Sequence, residues 1–364
     1  MERKRRKSKL VRILFPLIII CIFAASFYYY AKSGEEKKSS DAIVITPSET
    51  TPVQTEIKPL EETKTTFAFG GDLMFDRNVW HRYKDIGLTR IFDNLDSSIF
   101  KNPDISFANL EGPISAKPIN DDFASGSMNF NFPPETVNTL KFLGLNTVSL
   151  ANNHTMNAGG NGFLNTKNVL SAANINYVGN QNNFDDSSTL RLETDIPVSI
   201  IAVDILATAD NSKIVAQIKS EVAYGQEVII VPHWGVEYEG KHNKAQENLA
   251  KSWIDAGALM IVGGHPHVVQ DAQIYKNRPI IYSLGNFVFD QFFSKETQQG
   301  LILTGTIEKN SLTVTFLPFT STNVKPKLDS GSVKSSRLNQ IFPTDKSFDQ
   351  YKESEDTVKF DLTK

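Results

Sequence analysis

Ala258-Leu259-Met260-Ile261-Val262-Gly263-Gly264-His265-Pro266-His267 decides how the rest of this chain is read. An unbroken apolar run of this kind suits a strand buried on both faces. Two glycines end it, and two imidazoles follow with one proline between them. Local bends can bring both rings to one ion, and the proline stiffens the turn. A satisfied pair of surface histidines is the bland alternative. The arrangement recurs through the sequence. Val228-Ile229-Ile230-Val231 precedes His233-Trp234-Gly235, and Asn146-Thr147-Val148-Ser149-Leu150 precedes Asn152-Asn153-His154. Thr66-Phe67-Ala68-Phe69 leads into Gly70-Gly71-Asp72, and Ile105-Ser106-Phe107-Ala108 into Asn109-Leu110-Glu111. Four of the six histidines in the chain lie in these motifs. In an open α/β sheet, ligands bind in the crevice outside the carboxyl ends of the strands. Such ends, delivering Asp, Glu, Asn and His, can converge on one site, and that donor set suits a divalent metal.

Helical segments fall between the runs. Glu135 to Leu143 stops at Gly144, and Gly162 to Ala173 precedes Asn174. Asp210 is an N-cap for Asn211 to Ala223, and Gly257 a C-terminal stop for Asn243 to Ala256. Strands alternating with helices predict an α/β domain with a largely parallel sheet. Beyond Gly300 the pattern changes. Leu301 to Ile307 and Leu312 to Leu317 flank Glu308-Lys309-Asn310-Ser311, which reads as a hairpin. Residues 320–364, rich in Lys, Ser, Asp and Thr, are expected to form a surface-hugging or mobile tail.

The N-terminus has another character. Residues 1–12 carry seven Lys/Arg and one Glu, and an uncharged run follows at 13–30. As a helix that run is about 27 Å long, enough for a bilayer core. The positive-inside rule keeps the basic segment in the cytoplasm and sends the rest outside, with Tyr28, Tyr29 and Tyr30 at the outer interface. The reading is a single-pass signal-anchor in the cell membrane with an extracytoplasmic C-terminal domain; a cleaved signal peptide is the alternative. Residues 31–64, polar from Ser33 onward, read as a flexible linker with a reach of roughly 30 Å. Cys21, inside the apolar run, is the one cysteine, so the exported domain rests on its core without disulfides. After Arg12 the chain carries 31 basic and 40 acidic residues, a net of −9, which argues against a nucleic-acid partner.

Each candidate residue has a plainer reading. Asp72 is a metal ligand or merely caps a turn. Glu111 is a poor turn former, and Gly112-Pro113 behind it fixes a bend that aims it. Asn152-Asn153-His154 offers an amide oxygen as a hard ligand and an imidazole as ligand or proton donor, or else a polar turn. His233 adds a third imidazole, with Glu237 and Tyr238 close by. Asn152, Glu237, Tyr238 and Asn286 are candidates for substrate contact. Asn286 binds a substrate oxygen, orients a ligand or completes a structural turn. Arg77 is a candidate anion clamp. His81 and His242 read as ordinary surface residues.

Taken together the motifs resemble the CapA family of capsule and poly-γ-glutamate biosynthesis proteins, within the calcineurin-like metallophosphoesterase superfamily. The resemblance runs from about Phe67 to Phe319. It rests on Gly71-Asp72-Leu73-Met74 with Arg77, Asn109-Leu110-Glu111-Gly112, Asn152-Asn153-His154, His233-Trp234-Gly235-Val236-Glu237-Tyr238, Gly264-His265-Pro266-His267 and Ser283-Leu284-Gly285-Asn286-Phe287. It implies a four-layer α-β-β-α sandwich of the metallophosphoesterase type over residues 65–319, preceded by the one transmembrane helix. It also implies that Asp72, Glu111, Asn153, His233, His265 and His267 bind one or two ions of Mn, Fe or Zn. Glu111 would stand as the bridging carboxylate and His154 as the leaving-group acid. The wider superfamily begins its site with Asp-x-His, where this chain has Asp72-Leu73-Met74; a thioether is a poor partner for a hard ion.

Three functions compete. The first is an anchored, outward-facing component that aids synthesis, export or retention of an anionic capsule polymer, beside membrane subunits of a synthase or export complex. The second is a free-standing extracytoplasmic metallophosphoesterase. The third is a non-catalytic scaffold of a capsule machine.

Overall fold

The computed structural model describes residues 63–115, 128–207, 210–342 and 347–363. The expected basic segment at 1–12, the anchor at 13–30 and all but the end of the linker at 31–64 lie outside them. Among the described residues no helix is long and apolar enough to cross a membrane.

The strands are β1 (Lys64–Leu73), β2 (Ile105–Leu110), β3 (Thr147–Ser149), β4 (Asn176–Val178), β5 (Thr189–Leu192), β6 (Val198–Asp204), β7 (Glu227–His233), β8 (Met260–Val262), β9 (Ala272–Tyr275), β10 (Arg278–Ile281), β11 (Asn286–Val288), β12 (Gln299–Glu308), β13 (Ser311–Thr322), β14 (Lys325–Leu328) and β15 (Thr357–Asp361). The α-helices are α1 (Arg77–Tyr83), α2 (Ser98–Lys101), α3 (Thr136–Leu143), α4 (Gly159–Ala172), α5 (Asn211–Ala223), α6 (Lys244–Asp255) and α7 (Gly331–Ile341). The expected strands and helices appear within a few residues of where the apolar runs and caps place them. Asp210 accepts from Lys213 N at the start of α5, and Asn243 and Gln246 close a capping box on α6. Gly144 and Gly257 stop α3 and α6 at φ 99° and 111°, where a side chain would be strained.

The two packed sheets that the resemblance implies are present, and each is parallel over part of its width. The first runs β14-β13-β12-β1-β2-β3-β4, with β11 on β1 and β15 on β13. Its β1 to β4 half is parallel, and its β12 to β15 half is antiparallel. The second runs β5-β6-β7-β8-β10-β9, parallel from β6 through β10. Alternation along each strand divides the core. Phe67 and Phe69 of β1 join Ile200, Ile229 and Met260 of the second sheet in one apolar cluster, so the sheets pack face to face. Ala68, Ala108 and Val148 face outward onto Leu140 of α3 and Leu170 of α4. On the far side Ile201, Ile230 and Ile261 meet Ile214 and Ile218 of α5 and Trp253 of α6. The result is a mixed α/β sandwich with helices on both outer faces.

The predicted hairpin is β12 and β13, joined through Lys309-Asn310. The stretch expected to be a tail is not one. It forms β14, α7 and β15, and it buries Leu338, Ile341, Phe342, Phe348, Val358 and Phe360 in the cluster between the sheets. Its polar composition hid sparse, correctly spaced apolar residues.

Candidate metal centre

The carboxyl ends of β1, β2 and β3 in the first sheet meet those of β6, β7 and β8 in the second. Asp72 sits in register beside Asn109 and Asn286, and Asp204 beside His233. A bridge between His233 and Gly264 carries the histidine-proline-histidine loop to the same place. Two glycines make the approach possible. A Cβ on Gly71 would stand 1.9 Å from Gly285 O, and one on Gly264 would stand 2.8 Å from Asp72 Oδ1. Four non-glycine residues here hold positive φ: Arg77 (49°), Tyr238 (66°), His265 (95°) and His267 (59°). Such conformations cost about 1–3 kcal/mol each and persist where surroundings enforce them, often at functional sites.

Asp72, Glu111, His233, His265 and His267 converge and are buried. Asp72 accepts from Asn109 Nδ2 at 2.8 Å and from His265 N at 3.2 Å. His267 Nδ1 lies 3.0 Å from Asn286 Oδ1, while its Nε2 lies 3.7 Å from Glu111 Oε1. His233 Nε2 lies 2.9 Å from the Asn153 amide oxygen, and its ring centroid is 4.8 Å from that of His265. Glu111 Oε1, Asp204 Oδ2 and His265 Nδ1 are buried with no hydrogen-bond partner. Two sets of three residues each bring a ligand atom within 4.8 Å of the others: Asp72, Glu111 and His233; and Glu237, His265 and His267.

The electrostatics are one-sided. Burial pushes the Asp72 carboxyl up to about 6 against the pull of its hydrogen bonds from Asn109 and His265. Burial first, then the charges of Asp72, Glu237 and Asp204, push Glu111 well above the usual range. Asp204 is raised to about 6, again chiefly by burial. Burial also lowers the imidazoles: His265 to about 4, His267 to about 3 and His233 well below its ordinary value. Neutral rings offer a lone pair, and crowded carboxylates call for a counter-cation. The Arg77 guanidinium near the cluster is engaged by Asp290 and lies over Phe130, 4.9 Å from its centroid. As an anion clamp it is therefore already half-neutralised.

His154 points Nε2 at Glu111 Oε1, 3.9 Å away, and sets Nδ1 2.9 Å from Asn157 Oδ1. Its ring stacks on Phe130, and burial lowers its pKa. Two candidates for substrate contact are buried behind the cluster. Asn152 is fully buried, with Nδ2 donating to Asn109 Oδ1 and Leu110 O and Oδ1 accepting from His154 N and Thr155 Oγ1. It ties loops together beneath the site and offers a substrate nothing. Asn286 is also buried, with its amide oxygen 3.0 Å from His267 Nδ1 and its Nδ2 donating to Gln291 Oε1 and Thr297 O. Met74 lies in the outer core against the helices, its sulfur accepting from Asp76 N. His242 is no ordinary surface residue: it stacks on Tyr282 at 3.9 Å and engages Asp271. Asp204 escaped the sequence reading although it ends an apolar run just as Asp72 does. A cavity of about 600 Å³ shares Tyr238 with the site and is also lined by Lys241, Val268, Arg337 and Phe342.

A family model described as bacterial capsule synthesis protein PGA_cap matches residues 66–291. The chain belongs to this family. It is 31% identical over 267 residues to the capsule biosynthesis protein CapA of Bacillus anthracis, a match covering 68% of this chain and 65% of that relative. It therefore spans a little under two thirds of that relative's length. The PGA biosynthesis protein CapA of Bacillus subtilis (strain 168) is 29% identical over 265 residues, covering 68% of this chain and 69% of the relative. The resemblance to CapA proteins read from the motifs is thus borne out. Among solved structures, a Staphylococcus aureus protein provisionally described as a 5'-nucleotidase aligns over 73% of this chain and 53% of its own, at 13% identity and a TM-score of 0.39. A likeness of that size supports no argument about fold or function.

Proposed function

We propose that this member of the capsule synthesis family is a membrane-anchored, extracytoplasmic protein acting in synthesis, export or retention of an anionic capsule polymer, poly-γ-glutamate first, and that its polar cluster is a divalent-metal site serving hydrolysis. The polymer follows from the relatives, one of which is named for PGA biosynthesis. The anchor follows from the basic segment and the apolar run at 13–30. Membrane subunits of a synthase or export complex are the expected neighbours.

The observation that carries the metal reading is the convergence of Asp72, Glu111, His233, His265 and His267, buried, with a carboxylate oxygen and a ring nitrogen left unpartnered. Uncompensated buried charge costs several kcal/mol, about 3–5 when a partner is missing, and a dication removes that cost. The residues fit one: their oxygen and nitrogen donors suit Mn, Fe or Zn. A bound cation supplies Lewis-acid polarisation of a phosphoryl or carbonyl oxygen. The chain does the remainder. Asp72 and Glu111 supply negative charge, and Asn153 places an amide oxygen beside His233. With Nδ1 donating to Asn157 Oδ1, His154 turns the Nε2 lone pair toward the cluster, where it can take up a proton and pass it to a leaving group. Arg77 steadies an anionic substrate at the rim, and the cavity beside Tyr238 gives room for a chain end. A metallophosphoesterase-type site between two sheets is consistent with this placement.

In polymer-producing cells, Asp72→Ala or His265→Ala abolishes surface polymer while the protein accumulates normally. Normal polymer in cells with a folded variant defeats the proposal. Turnover of a generic phosphodiester by the purified protein with Mn²⁺, together with unchanged polymer, points instead to a free-standing phosphoesterase.

A further inference from the structure

We propose that the cavity beside Tyr238 is a binding subsite for a carboxylate-bearing polyamide chain, and that Arg337 of α7 grips one of the chain's carboxylates there. This deepens, and rests on, the reading of the polymer as poly-γ-glutamate.

The cavity adjoins the polar cluster through one residue and one loop. Tyr238 stacks its ring on His267, 6.0 Å between centroids, and also lines the cavity. Val268 and Val269, which follow His267 in the chain, form the next stretch of wall. Arg337, Gln340 and Ile341 at the end of α7 form another. At about 600 Å³ the cavity falls within the roughly 300–1,000 Å³ typical of ligand pockets. A hollow of about 380 Å³ adjoins it, sharing Glu296, Gln299, Arg337 and Gln340, so Arg337 stands where the two meet.

Three kinds of surface line this space. Val268, Val269, Pro318, Ile341 and Phe342 are apolar; Gln299, Asn339 and Gln340 carry side-chain amides; Lys241 and Arg337 carry positive charge. A γ-linked glutamyl residue presents the complementary set: methylenes, a main-chain amide and a free carboxylate. A uronic-acid polymer matches only the carboxylate. Arg337 has donors to give. Among the described residues its guanidinium makes one hydrogen bond, from Nη1 to Gln340 Oε1 at 3.1 Å. Its Nε is 3.8 Å from Asp329 Oδ2, beyond hydrogen-bond reach, and Asp329 lies off the cavity wall. The planar fork thus keeps most of its N–H groups for a carboxylate, which it can take bidentately. Two carboxylates share the wall. Asp271 Oδ1 is engaged by His242 N and Nδ1, each at 3.1 Å, and Lys241 Nζ lies 3.6 Å from Oδ2. Glu296 is exposed and is the adverse charge, which makes it a control.

The test uses the full-length chain in mild detergent and a fluorescent γ-linked glutamyl oligomer, with binding read by anisotropy. The wild type is expected to bind it more tightly than an oligogalacturonate of equal charge. Arg337→Gln weakens binding roughly 10–100-fold, the loss of a hydrogen bond between charged groups, and Arg337→Lys recovers part of it. Glu296→Gln tightens binding about 2–5-fold, a gain that no misfolded variant gives. Equal affinity in wild type and Arg337→Gln overturns the inference, and loss of that affinity in EDTA then places the chain on the metal centre instead. A wild type that binds neither oligomer overturns it as well, while the polymer reading still stands on surface polymer in the Asp72→Ala cells. Preference for the galacturonate defeats both, which separates the failures.

Discussion

At the scale of single residues, Asn286 shows how the site is held in readiness. Its oxygen fixes one nitrogen of His267, while its Nδ2 donates to Gln291 Oε1 and Thr297 O. Groups that orient a ligand in this way are typically worth about 10–100-fold in metal affinity. Asn286→Ala is therefore expected to weaken Mn²⁺ binding by about that factor, read by calorimetry, with a folded protein verified by its melting curve. Unchanged affinity would show that packing against Phe289, 4.7 Å away, already fixes the ring. The ligand candidates were legible because each follows an apolar run, and a strand end delivers side chains to the crevice. The amides were not separable by the same signal. Asn152 and Asn153 are neighbours in one turn, yet one is a scaffold bolt and the other faces His233. Only the fold decides which way each points. Asp204 carried the same signal as Asp72, but no glycine or histidine stood beside it to draw attention.

At the scale of elements, the edge strand β5 and helix α5 are joined by a bidentate pair. Arg191 Nε and Nη2 donate to the two Glu221 oxygens at 2.7 and 2.9 Å, and Ser199 and Gln217 add further bonds to the same carboxylate. Arg191 also lies 4.2 Å over the Tyr224 ring. With the arginine side chain 45% exposed and two other donors remaining to Glu221, Arg191→Met should lower stability by less than the loss of a buried partner would. The hydrogen bonds from Arg191 hold the Glu221 carboxyl below its usual range. In that window the unfolded chain binds more protons than the folded one. The contribution is thus complete above roughly pH 4.3 and is lost as pH falls through the lower folded value. Urea midpoints of wild type and Arg191→Met should differ at pH 7 and draw together as pH falls through the lowered folded value; a constant gap would mean that packing on Tyr224, not charge, is what the arginine contributes. Caps and glycine stops were readable because their signals are local. This pair was not, since its members lie 30 residues apart and meet only when β5 and α5 pack.

At the scale of the molecule, the last forty residues decide whether the sandwich closes. The apolar runs read from Thr66 to Tyr282 and the hairpin beyond Gly300 leave β13 without its outer partner. In the structure β15 pairs with β13 from Ser311 to Thr315, and Val358 and Phe360 alternate inward between Thr357, Lys359 and Asp361. That period of two is the signature of a half-buried strand. The surrounding Lys, Ser and Asp masked it, because five residues are too few to outweigh a polar window. Leu338, Ile341, Phe342 and Phe348 complete the cover over the same cluster that holds Phe67 and Ile200. Burying six such side chains is worth about 1.5–3 kcal/mol each, which together matches the entire net stability of a typical domain, about 5–15 kcal/mol. Ending the chain after Thr322 is accordingly expected to abolish cooperative unfolding and leave an aggregating product. Phe360→Ala alone should cost about 3–5 kcal/mol. Thermal and urea denaturation of both forms checks this. A truncated protein with the wild-type midpoint would mean that the segment rests on a finished sandwich, and that the edge carrying Asp72 and His265 is stable without it.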